Sequence, residues 1–361
     1  MSSIKDVAER AGVAISTVSN VLNKTKYVSP ELIDRVEKAV QELSYEVNPI
    51  ARSMKNKRTR MIGVITEDMC GVFYPYVVKG INAVATEKGY QVIICDTHGV
   101  NGDLEAFKRE KKLFKRLIAN RVDGIIFVST VPQAQSTQYF AEIMRIANRD
   151  KPIPLVSLER DFTHEGIDSV IFDSYGNAKS AVKHLSGVGC KRICLITGPV
   201  GMEIVREREQ GFLDGMTACG LPFDPQTMMA HGDYTHQSGY IAMRELFERV
   251  PDMDGVFCHN DQMAVGALKF LREKGVKVPG DIKLMGYDDV FLASLVEPSL
   301  TTIHIRKRHA GIKAAELLFA RIESEDVDEA RDAVGHLMSG SIVVRQSTVA
   351  SSPEDWNLVD W

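Results

Sequence analysis

The stretch that decides the fold of the start of the chain is Ile4–Asn23, IKDVAERAGVAISTVSNVLN. Ser3 and Asp6 have the spacing of a capping box, which begins a short helix. Gly12 permits the turn that ends this helix. The run that follows has apolar residues on one side and small polar residues on the other. The stretch therefore predicts two short helices joined by a glycine turn.

A third helix is predicted directly after this pair. The triplet SPE at residues 29–31 combines an N-cap residue, a first-turn proline and an early acidic residue. Leu32, Val36 and Leu43 then continue an apolar stripe at helical spacing. Three helices of this kind predict a small α-helical head over residues 1–46.

Charge is unevenly distributed along the 361 residues, whose net charge is −4. Residues 1–60 contain eleven Lys and Arg against seven Asp and Glu, whereas the remainder contains 33 against 41. A basic head on an acidic body is the pattern expected when only the head contacts phosphate.

The composition, with 44% hydrophobic and 25% charged residues, is that of a globular chain of two or three domains. No apolar run reaches the roughly 18 residues that span a membrane, and the polar N-terminus is unlike a secretory signal. We therefore expect a cytoplasmic protein without a membrane partner.

The six cysteines are scattered, and we expect buried, reduced thiols with neither disulfide nor metal.

From Met61 onwards, apolar runs of strand length alternate with amphipathic helical runs. Strands are predicted at 61–66, 91–96, 124–129, 153–158, 169–173, 192–197, 255–260, 282–287 and 300–305. Continuous apolar strands with helical crossovers imply parallel sheets that are covered on both faces. This number of strands fits two doubly wound units better than one, with a boundary near residues 160–166.

Ligands of doubly wound sheets bind beyond the carboxyl ends of the strands, so residues in that position are the candidates for a binding site. The set is Phe73, Tyr74, Asp173, Arg208, Tyr234 and Asp288. A carboxylate, a guanidinium and aromatic rings suit a polyhydroxylated ligand, because the charged groups bind neighbouring hydroxyls while a ring covers an apolar face. Each carboxylate taken singly is also open to a plainer interpretation, as a helix cap or a surface group.

The first two helices have a possible role in DNA binding. A helix, a glycine turn and a second helix with a small polar face can enter the major groove and hydrogen-bond to base edges. Similar helix pairs also occur in the cores of α-helical proteins, so the spacing alone leaves both interpretations open. The position at the chain start, the local positive charge and the third helix favour DNA binding.

Motifs along nearly the whole chain resemble one family. SIKDVAERAGVAISTVSNVLN (3–23) and YEVNPIARSMK (45–55) resemble the head and linker of the LacI/GalR (lactose and galactose repressor) family of bacterial transcription regulators. The resemblance continues through DGIIFVS, GDYTHQSGY, NDQMAVGAL, VPGDIKLMGYDDV, PSLTTIH and VVRQST. It implies an α/β protein with a three-helix helix-turn-helix head and a hinge helix. Two doubly wound parallel-sheet subdomains, similar to type I periplasmic binding proteins, would follow.

The resemblance also implies a division of the chain. It gives a DNA-binding domain at 1–46, a hinge helix and linker at 47–60, and a tail at 347–361. The N-terminal effector-binding subdomain comprises 61–161 and about 290–323, and the C-terminal one comprises 162–289 and about 324–346.

In the family, the second helix of the head is the recognition helix. By position, Ile15, Ser16 and Asn20 would read bases, and Thr17, Ser19 and Asn23 would lie near phosphate or bases. Many members have arginine at the position of Asn20. Because asparagine favours adenine where arginine favours guanine, we expect the operator to differ at that base pair.

The linker NPIARSM (48–54) has too little apolar surface to be stable as an isolated helix, and a basic segment follows it. The resemblance implies that paired hinge helices of a homodimer enter the minor groove of the operator. Asn48 would belong to this contact, Ala51 would let the helices approach, and Met54 would wedge between base pairs. The alternative is an ordinary flexible linker.

The resemblance assigns cleft positions to Phe73, Tyr74, Arg160, Asp173, Arg208 and Asp288. Met202, Glu203 and Ile204 precede Arg208 where the family usually has small polar residues. A sugar-like effector is expected, and nucleosides or other small polar metabolites remain open.

Together these features predict a ligand-responsive repressor that binds a palindromic operator in double-stranded DNA as a homodimer, without a cofactor or a metal. Ligand would form or melt the hinge helices and so change operator affinity.

Corepression or activation is the closest alternative. A transport-type sugar-binding protein would need an export signal and no basic head. The sequence contains no phosphate loop, no G-x-S-x-G motif and no metal-spaced histidine cluster, which are motifs that would indicate an enzyme.

Overall fold

The computed structural model describes residues 2–23, 26–45, 58–97, 105–149, 152–324 and 332–353. It divides the chain into two compact units, Met1–Arg60 and Met61–Trp361. Each unit contains hydrophobic core clusters of its own.

The described residues of the first unit form three helices, α1 (Ile4–Ala11), α2 (Ile15–Asn23) and α3 (Pro30–Glu42). The predicted capping box is present at the start of α1. The Ser3 hydroxyl accepts a hydrogen bond from the Asp6 amide at 3.3 Å, and the Asp6 carboxylate accepts one from the Ser3 amide at 2.7 Å. Gly12 ends α1 with φ at 62°, a left-handed conformation that glycine adopts without a Cβ clash.

The core of the first unit is small and apolar. Its fully buried members are Val7, Val18 and Val36, one from each helix. The Arg35 side chain links α3 to the end of α1. Its guanidinium donates hydrogen bonds of 2.6 and 3.2 Å to the carbonyls of Ala11 and Gly12. These carbonyls lie at the end of α1, where backbone acceptors lack partners within the helix.

The second unit is built on twelve described strands. They are β1 (Met61–Thr66), β2 (Gln91–Asp96), β3 (Gly124–Val128), β4 (Leu155–Glu159), β5 (Asp168–Phe172), β6 (Ile193–Thr197), β7 (Met229–His231), β8 (Gly255–Cys258), β9 (Lys283–Met285), β10 (Thr302–His304), β11 (Gly335–Met338) and β12 (Ser341–Val343). The first sheet has the order β11-β5-β4-β3-β1-β2 and the second has β7-β6-β8-β9. Every pairing within these two sheets is parallel, whereas β10 and β12 form an antiparallel pair.

Helices connect most of these strands. They are α4 (Tyr74–Glu87), α5 (Ala106–Ala119), α6 (Gln133–Ala147), α7 (Ser174–Gly187), α8 (Glu203–Ala218), α9 (Pro225–Met228), α10 (His236–Arg249), α11 (Asp261–Glu273), α12 (Leu292–Leu295) and α13 (Lys307–Glu323), with a 3₁₀ turn at Thr163–Glu165. Strands such as β3 and β6 are buried along their whole length, as expected for sheets covered on both faces. The predicted α/β fold class, with two doubly wound parallel sheets, is therefore confirmed.

The predicted boundary near residues 160–166 is wrong. Strand β5 was expected to open the C-terminal subdomain at 162–289, but it pairs in parallel with β4 of the first sheet. Strand β11, expected in the same subdomain at about 324–346, pairs with β5. The connection between β4 and β5 is shorter than the dozen or so residues of a usual parallel crossover, which is why it resembles a linker in the sequence.

The predicted tail at 347–361 also begins too early. Ser347 is fully buried, and its hydroxyl accepts a hydrogen bond of 2.8 Å from the Thr301 amide. The same hydroxyl donates to the Leu284 carbonyl at 2.6 Å, so residue 347 belongs to the packed body of the second unit.

Glycine brings pairs of helices together in the second unit. A Cβ atom on Gly80 of α4 would lie 2.0 Å from the Arg308 carbonyl oxygen, and one on Gly311 of α13 would lie 1.9 Å from that of Val77. Gly266 of α11 approaches the α10 backbone in the same way, because its Cβ would lie 1.8 Å from the His236 carbonyl oxygen. These helices touch through their backbones, which requires glycine at the crossing points.

None of the helices in the described part of the chain is long and apolar enough to cross a membrane.

Candidate functional site

Helix α2 carries most of the residues predicted to read DNA. Ile15 and Ser16 are exposed, Thr17, Ser19 and Asn20 are partly exposed, and Val18 faces the core. The helix therefore presents a largely polar face on the side away from the core. Four further predicted residues fall outside what the structure describes: the side chain of Asn23, and Asn48, Ala51 and Met54 in the linker.

The second unit contains a cavity of about 470 Å³ at the ends of several strands. Its volume is in the range of pockets that hold small molecules. Five of the seven predicted effector-binding residues line it, namely Phe73, Tyr74, Arg208, Tyr234 and Asp288. The chain segments that carry them follow different strands, so the fold gathers side chains that are far apart in the sequence.

Arg160 and Asp173 are not among the residues that line the cavity. The Arg160 guanidinium donates hydrogen bonds to the carbonyls of Ser129 at 3.1 Å and Val131 at 2.6 Å, and it stacks on Phe162. The Asp173 carboxylate caps helix α7 by accepting a hydrogen bond of 2.8 Å from the Gly176 amide. Asp173 is thus the helix cap that its residue type also suggested.

Arg208 is the cation of the cavity lining. It lies on α8 and is only 6% exposed, and one of its terminal nitrogens donates a hydrogen bond of 2.6 Å to the His259 carbonyl. Its guanidinium carbon lies 3.8 Å from the centre of the Tyr287 ring. A planar guanidinium held by stacking and by one hydrogen bond keeps a fixed orientation, which suits bidentate recognition of a ligand.

Six of the seven carboxylates of the lining were not predicted, and Glu67 and Glu159 are two of them. Glu67 directly follows β1 and Glu159 ends β4, so the rule that ligands bind at the carboxyl ends of strands would have selected both. Burial, together with the nearby carboxylates of Glu159 and Glu110, raises the pKa of Glu67 to about 8. Burial also raises the pKa of Glu159 to about 7, although this group accepts a hydrogen bond of 2.8 Å from the Tyr74 hydroxyl.

Asp288 is another lining carboxylate whose pKa is raised. Burial raises its pKa to about 6, while the nearby positive charges of Arg208 and Lys307 act in the opposite direction. The Lys307 ammonium donates hydrogen bonds to the carbonyls of Asp288 at 2.6 Å and Asp289 at 3.0 Å, which holds this loop in place.

Backbone strain is concentrated around the cavity. Glu159, Tyr234 and Asp288 have φ values of 76°, 68° and 99°, a region that residues with a side chain rarely adopt. Each such conformation costs on the order of 1–3 kcal/mol and persists where the surrounding structure imposes it, often at binding sites. The three residues all line the cavity, so strain and candidate site coincide.

Aromatic rings form an apolar part of the lining. Phe73 packs edge-to-face on Tyr74 and on Phe172, with ring centres 5.3 and 6.0 Å apart. Two polar groups of the lining residues are buried without a hydrogen-bond partner, the Tyr234 hydroxyl and the Nε atom of Arg208. Buried polar groups are normally satisfied, so these two are candidates for contacts with a bound molecule.

Comparison with known proteins gives the same picture for both units. A family model described as bacterial regulatory proteins, lacI family, matches residues 3–48, and one described as a periplasmic binding protein-like domain matches residues 182–348. The chain is 32% identical to the HTH-type transcriptional repressor PurR of Vibrio atlanticus (strain LGP32). The alignment spans 326 residues and covers 90% of this chain and 93% of the relative.

The chain belongs to the LacI family. The HTH-type transcriptional repressor CytR of Escherichia coli (strain K12) is another LacI-family relative, 32% identical over 97% of both chains. Among solved structures, the lac repressor dimer bound to operator and the anti-inducer ONPF matches with a TM-score of 0.83 and 27% identity, over 96% of this chain and 99% of that chain. A complex of the transcriptional regulator CelR with cellobiose matches with a TM-score of 0.68 and 30% identity, over 96% of this chain and all of that chain.

Membership of the LacI family identifies the molecule as a ligand-responsive transcriptional repressor with a helix-turn-helix DNA-binding head. Within this LacI-family fold, the first unit corresponds to the DNA-binding head and the second to the effector-binding body.

Proposed function

We propose that this repressor senses a small, polyhydroxylated molecule in the cavity lined by Arg208 and Asp288. The observation that carries the proposal is the buried guanidinium of Arg208, fixed on the Tyr287 ring, in the same lining as Asp288 and the rings of Phe73 and Tyr74. A guanidinium and a carboxylate bind neighbouring hydroxyl groups, and aromatic rings cover the apolar face of a sugar.

The charge of the lining supports a ligand that is not an anion. Seven carboxylate residues line the cavity against one arginine. An anionic ligand would lie next to like charges in a poorly solvated site, which is unfavourable. The cellobiose complex of CelR is a related structure with a sugar ligand, which supports the same class here.

On DNA, the repressor acts as a homodimer at a palindromic operator. Ile15, Ser16 and Asn20 read base edges from α2, with Thr17, Ser19 and Asn23 near the phosphates or bases. The exposure of Ile15 and Ser16 supports this role, as does the similarity to a lac repressor dimer bound to operator. Hinge residues Asn48, Ala51 and Met54 contact the minor groove, in line with the family resemblance of the linker.

Effector and operator are coupled by linkage. A ligand that binds the two states of the dimer with different affinities changes the affinity of the dimer for the operator. The operator changes the affinity for the ligand by the same factor. Induction, in which ligand weakens operator binding, is the proposed direction, and corepression is the alternative.

The test is selection of fragments of the source organism's genomic DNA by the purified full chain without ligand. Enrichment of a short palindrome is the expected result, and the genes beside it nominate the effector. The selection is then repeated with a pool of sugars and nucleosides, which should reduce the enrichment if ligand is an inducer. Enrichment that appears only with the pool would replace induction by corepression. No enrichment in either arm would overturn the proposal.

A further inference from the structure

The negative charge that the lining carboxylates bear when ionised is not balanced by ion pairs among the described residues. None of the ion pairs between described residues involves Glu67, Glu159 or Asp288, although all three line the cavity. Asp288 lies near the positive charges of Arg208 and Lys307. Glu67 has no comparable neighbour in the lining, so it is the carboxylate with the least compensation.

The charged groups that act on Glu67 are mostly of its own sign. They are Glu159, Glu110, Asp68 and, with opposite sign, Arg160. The Arg160 guanidinium is already engaged by the carbonyls of Ser129 and Val131 and, at 3.0 Å, by the Gln133 side chain. Arg160 is not part of the lining, so a cation that enters the cavity can reach Glu67 without competing for space with it.

The Glu159 carboxylate accepts one hydrogen bond from a side chain of the cavity lining. The Tyr74 hydroxyl donates to it at 2.8 Å, and a carboxylate can accept several further hydrogen bonds. Its other charged neighbours are Arg160, Arg208 and Asp288. The Glu159 backbone is held in a left-handed conformation that keeps the residue at the cavity wall.

We propose that the effector carries a protonated amine and that Glu67 and Glu159 bind this group. The inference rests on the proposed function, because it places the amine on the same polyhydroxylated ligand that Arg208 and Asp288 recognise. The ligand class is thus an amino sugar or a similar amine-bearing polyol. An ammonium group has three donors, which match the free acceptor positions of two carboxylates.

A second observation points to the hydroxyl groups of such a ligand. Arg208 is more than nine-tenths buried and its Nε atom has no partner, and the Tyr234 hydroxyl is likewise buried and unpaired. Both residues line the cavity. Hydroxyl oxygens of the ligand would accept from these donors while its ammonium group pairs with the carboxylates.

Amine binding is coupled to proton release. Without ligand, the raised pKa values of Glu67, about 8, and Glu159, about 7, keep protons on this pair near neutral pH. An ammonium ion between the two carboxylates favours their charged forms, so a proton leaves to solvent as the ligand binds. Affinity for an amine therefore rises as pH rises from about 6 to about 7, a window that lies below the pKa of roughly 7.7 of an amine beside electron-withdrawing groups, so the ligand itself stays largely protonated.

The rival interpretation is a neutral ligand whose hydroxyls are held by protonated Glu67. In that case no proton is released, and affinity does not rise over the same pH window.

The experiment compares matched sugars that differ in one group. The panel consists of glucosamine, galactosamine and mannosamine, each with its N-acetylated form and with the parent hexose, plus the disaccharide of glucosamine with cellobiose. Binding to the full chain is measured as a shift in melting temperature and by calorimetry. The calorimetry uses two amine-free buffers that differ in ionisation enthalpy, because the difference in heat counts released protons.

The variants are Glu67→Gln and Glu159→Gln, with Glu87→Gln as the control for the same substitution. Glu87 is exposed on α4 and does not line the cavity. We expect at least one amine to bind more tightly than its hexose and N-acetyl partners, with proton release. Glu67→Gln and Glu159→Gln should each weaken that amine by about 10- to 100-fold, the value of a lost charge-assisted hydrogen bond. Glu87→Gln should leave it within about twofold.

Two results would overturn the proposal: no amine of the panel exceeding its uncharged partners, or an amine whose affinity is unchanged in both glutamine variants. The selection of genomic fragments measures DNA binding and needs no amine. A palindrome without amine binding therefore rejects this inference alone, whereas the absence of a palindrome rejects the proposed function.

Discussion

The Arg208 guanidinium lies flat over the Tyr287 ring, with its central carbon 3.8 Å from the ring centre. Tyr287 is in turn held in place by Asn177, whose side chain donates a hydrogen bond of 2.9 Å to the tyrosine hydroxyl. The main cation of the cavity lining is therefore held by a chain of contacts that runs from α8 through residue 287 to α7.

Replacing Arg208 by lysine should reduce stability even without ligand. Lysine keeps the charge but loses the flat contact with Tyr287 and the fixed donor to the His259 carbonyl. We expect the free energy of unfolding to fall by about 1–2 kcal/mol, measured by urea denaturation. Arg206→Lys on the same helix is the control, because Arg206 is exposed and its replacement should change stability by less than about 0.5 kcal/mol. Equal effects at both positions would show that the Tyr287 contact contributes nothing.

The close crossing of α4 and α13 predicts a large effect at Gly311. A Cβ there would lie 1.9 Å from the Val77 carbonyl oxygen, so Gly311→Ala forces the two backbones apart. We expect a loss of about 2–3 kcal/mol in thermal or urea unfolding.

Gly187→Ala is the matched control for this substitution. Gly187 ends α7 and has nothing within 4 Å of a Cβ, so alanine should change stability by less than about 1 kcal/mol, in the stabilising direction. A tolerated alanine at 311 would mean that the helices are free to separate.

Stability should fall as pH rises from 6.5 to about 8. Burial raises the pKa values of Glu67, Glu110, Glu159 and Asp288 to about 8, 7, 7 and 6. An acid of this kind binds more protons when folded, so its contribution to stability is lost as pH rises through the folded pKa. His184 and His259, whose pKa values burial lowers, add stability with rising pH only up to their unfolded pKa of 6.5. Above pH 6.5 the slope comes chiefly from Glu67, Glu110 and Glu159, because Asp288 is already largely ionised there.

The check on this pH dependence is urea unfolding of Glu67→Gln at several pH values in that window. The variant lacks the group whose pKa is the highest of these four, so its stability should fall less steeply than that of the wild type. Glu87→Gln, at an exposed position of α4, should retain the wild-type slope. A wild-type profile that is flat from 6.5 to 8 would contradict the raised pKa values.

Asn20 is predicted to read one base pair in each half of the operator. Asn20→Ala should lower affinity for the selected palindrome by roughly 1–3 kcal/mol and relax the preference at that base pair. Competition binding with single-base operator variants and with random DNA measures this. Asn148→Ala, at an exposed position after α6, should bind as the wild type does. An equal loss on random DNA would assign Asn20 to the phosphate backbone.

Much of the fold could be predicted from local patterns. The predicted strands at 61–66 and 91–96 match β1 and β2 residue for residue, because their apolar runs end at clear breaks. The short strand β7 and the long helix α13 escaped prediction. Strand β7 has only three residues. The buried positions of α13 follow helical spacing, but many of them are Lys, Gly or Ala, so the apolar stripe is weak in the sequence.

The sheet to which a strand belongs could not be predicted. Strand β5 pairs with β4 before it and with β11, which comes more than 160 residues later in the chain. Hydrophobic periodicity reports how a strand is buried but not which strand lies beside it. The position of the boundary between the two sheets depends on that pairing.

The cavity was predicted in part. The sequence selected Tyr234 and Asp288, which line it, together with Asp173, which caps a helix. It missed Glu67 and Glu159, because a carboxylate directly after a strand is common on protein surfaces and burial cannot be read from its neighbours. The side chains that face the same cavity are known only once the strands are placed side by side.

The glycine crossing of α4 and α13 has a consequence for signal transmission. Helix α4 begins at Phe73 and Tyr74, and α13 begins at Lys307, whose ammonium holds the carbonyl of Asp288. Because these helices touch backbone to backbone, a displacement of one should be passed to the other. Helix α4 meets a ligand through Phe73 and Tyr74, and α13 is linked to the lining through residue 288. Molecules that fill only half of the cavity should therefore act as partial effectors that compete with full ones.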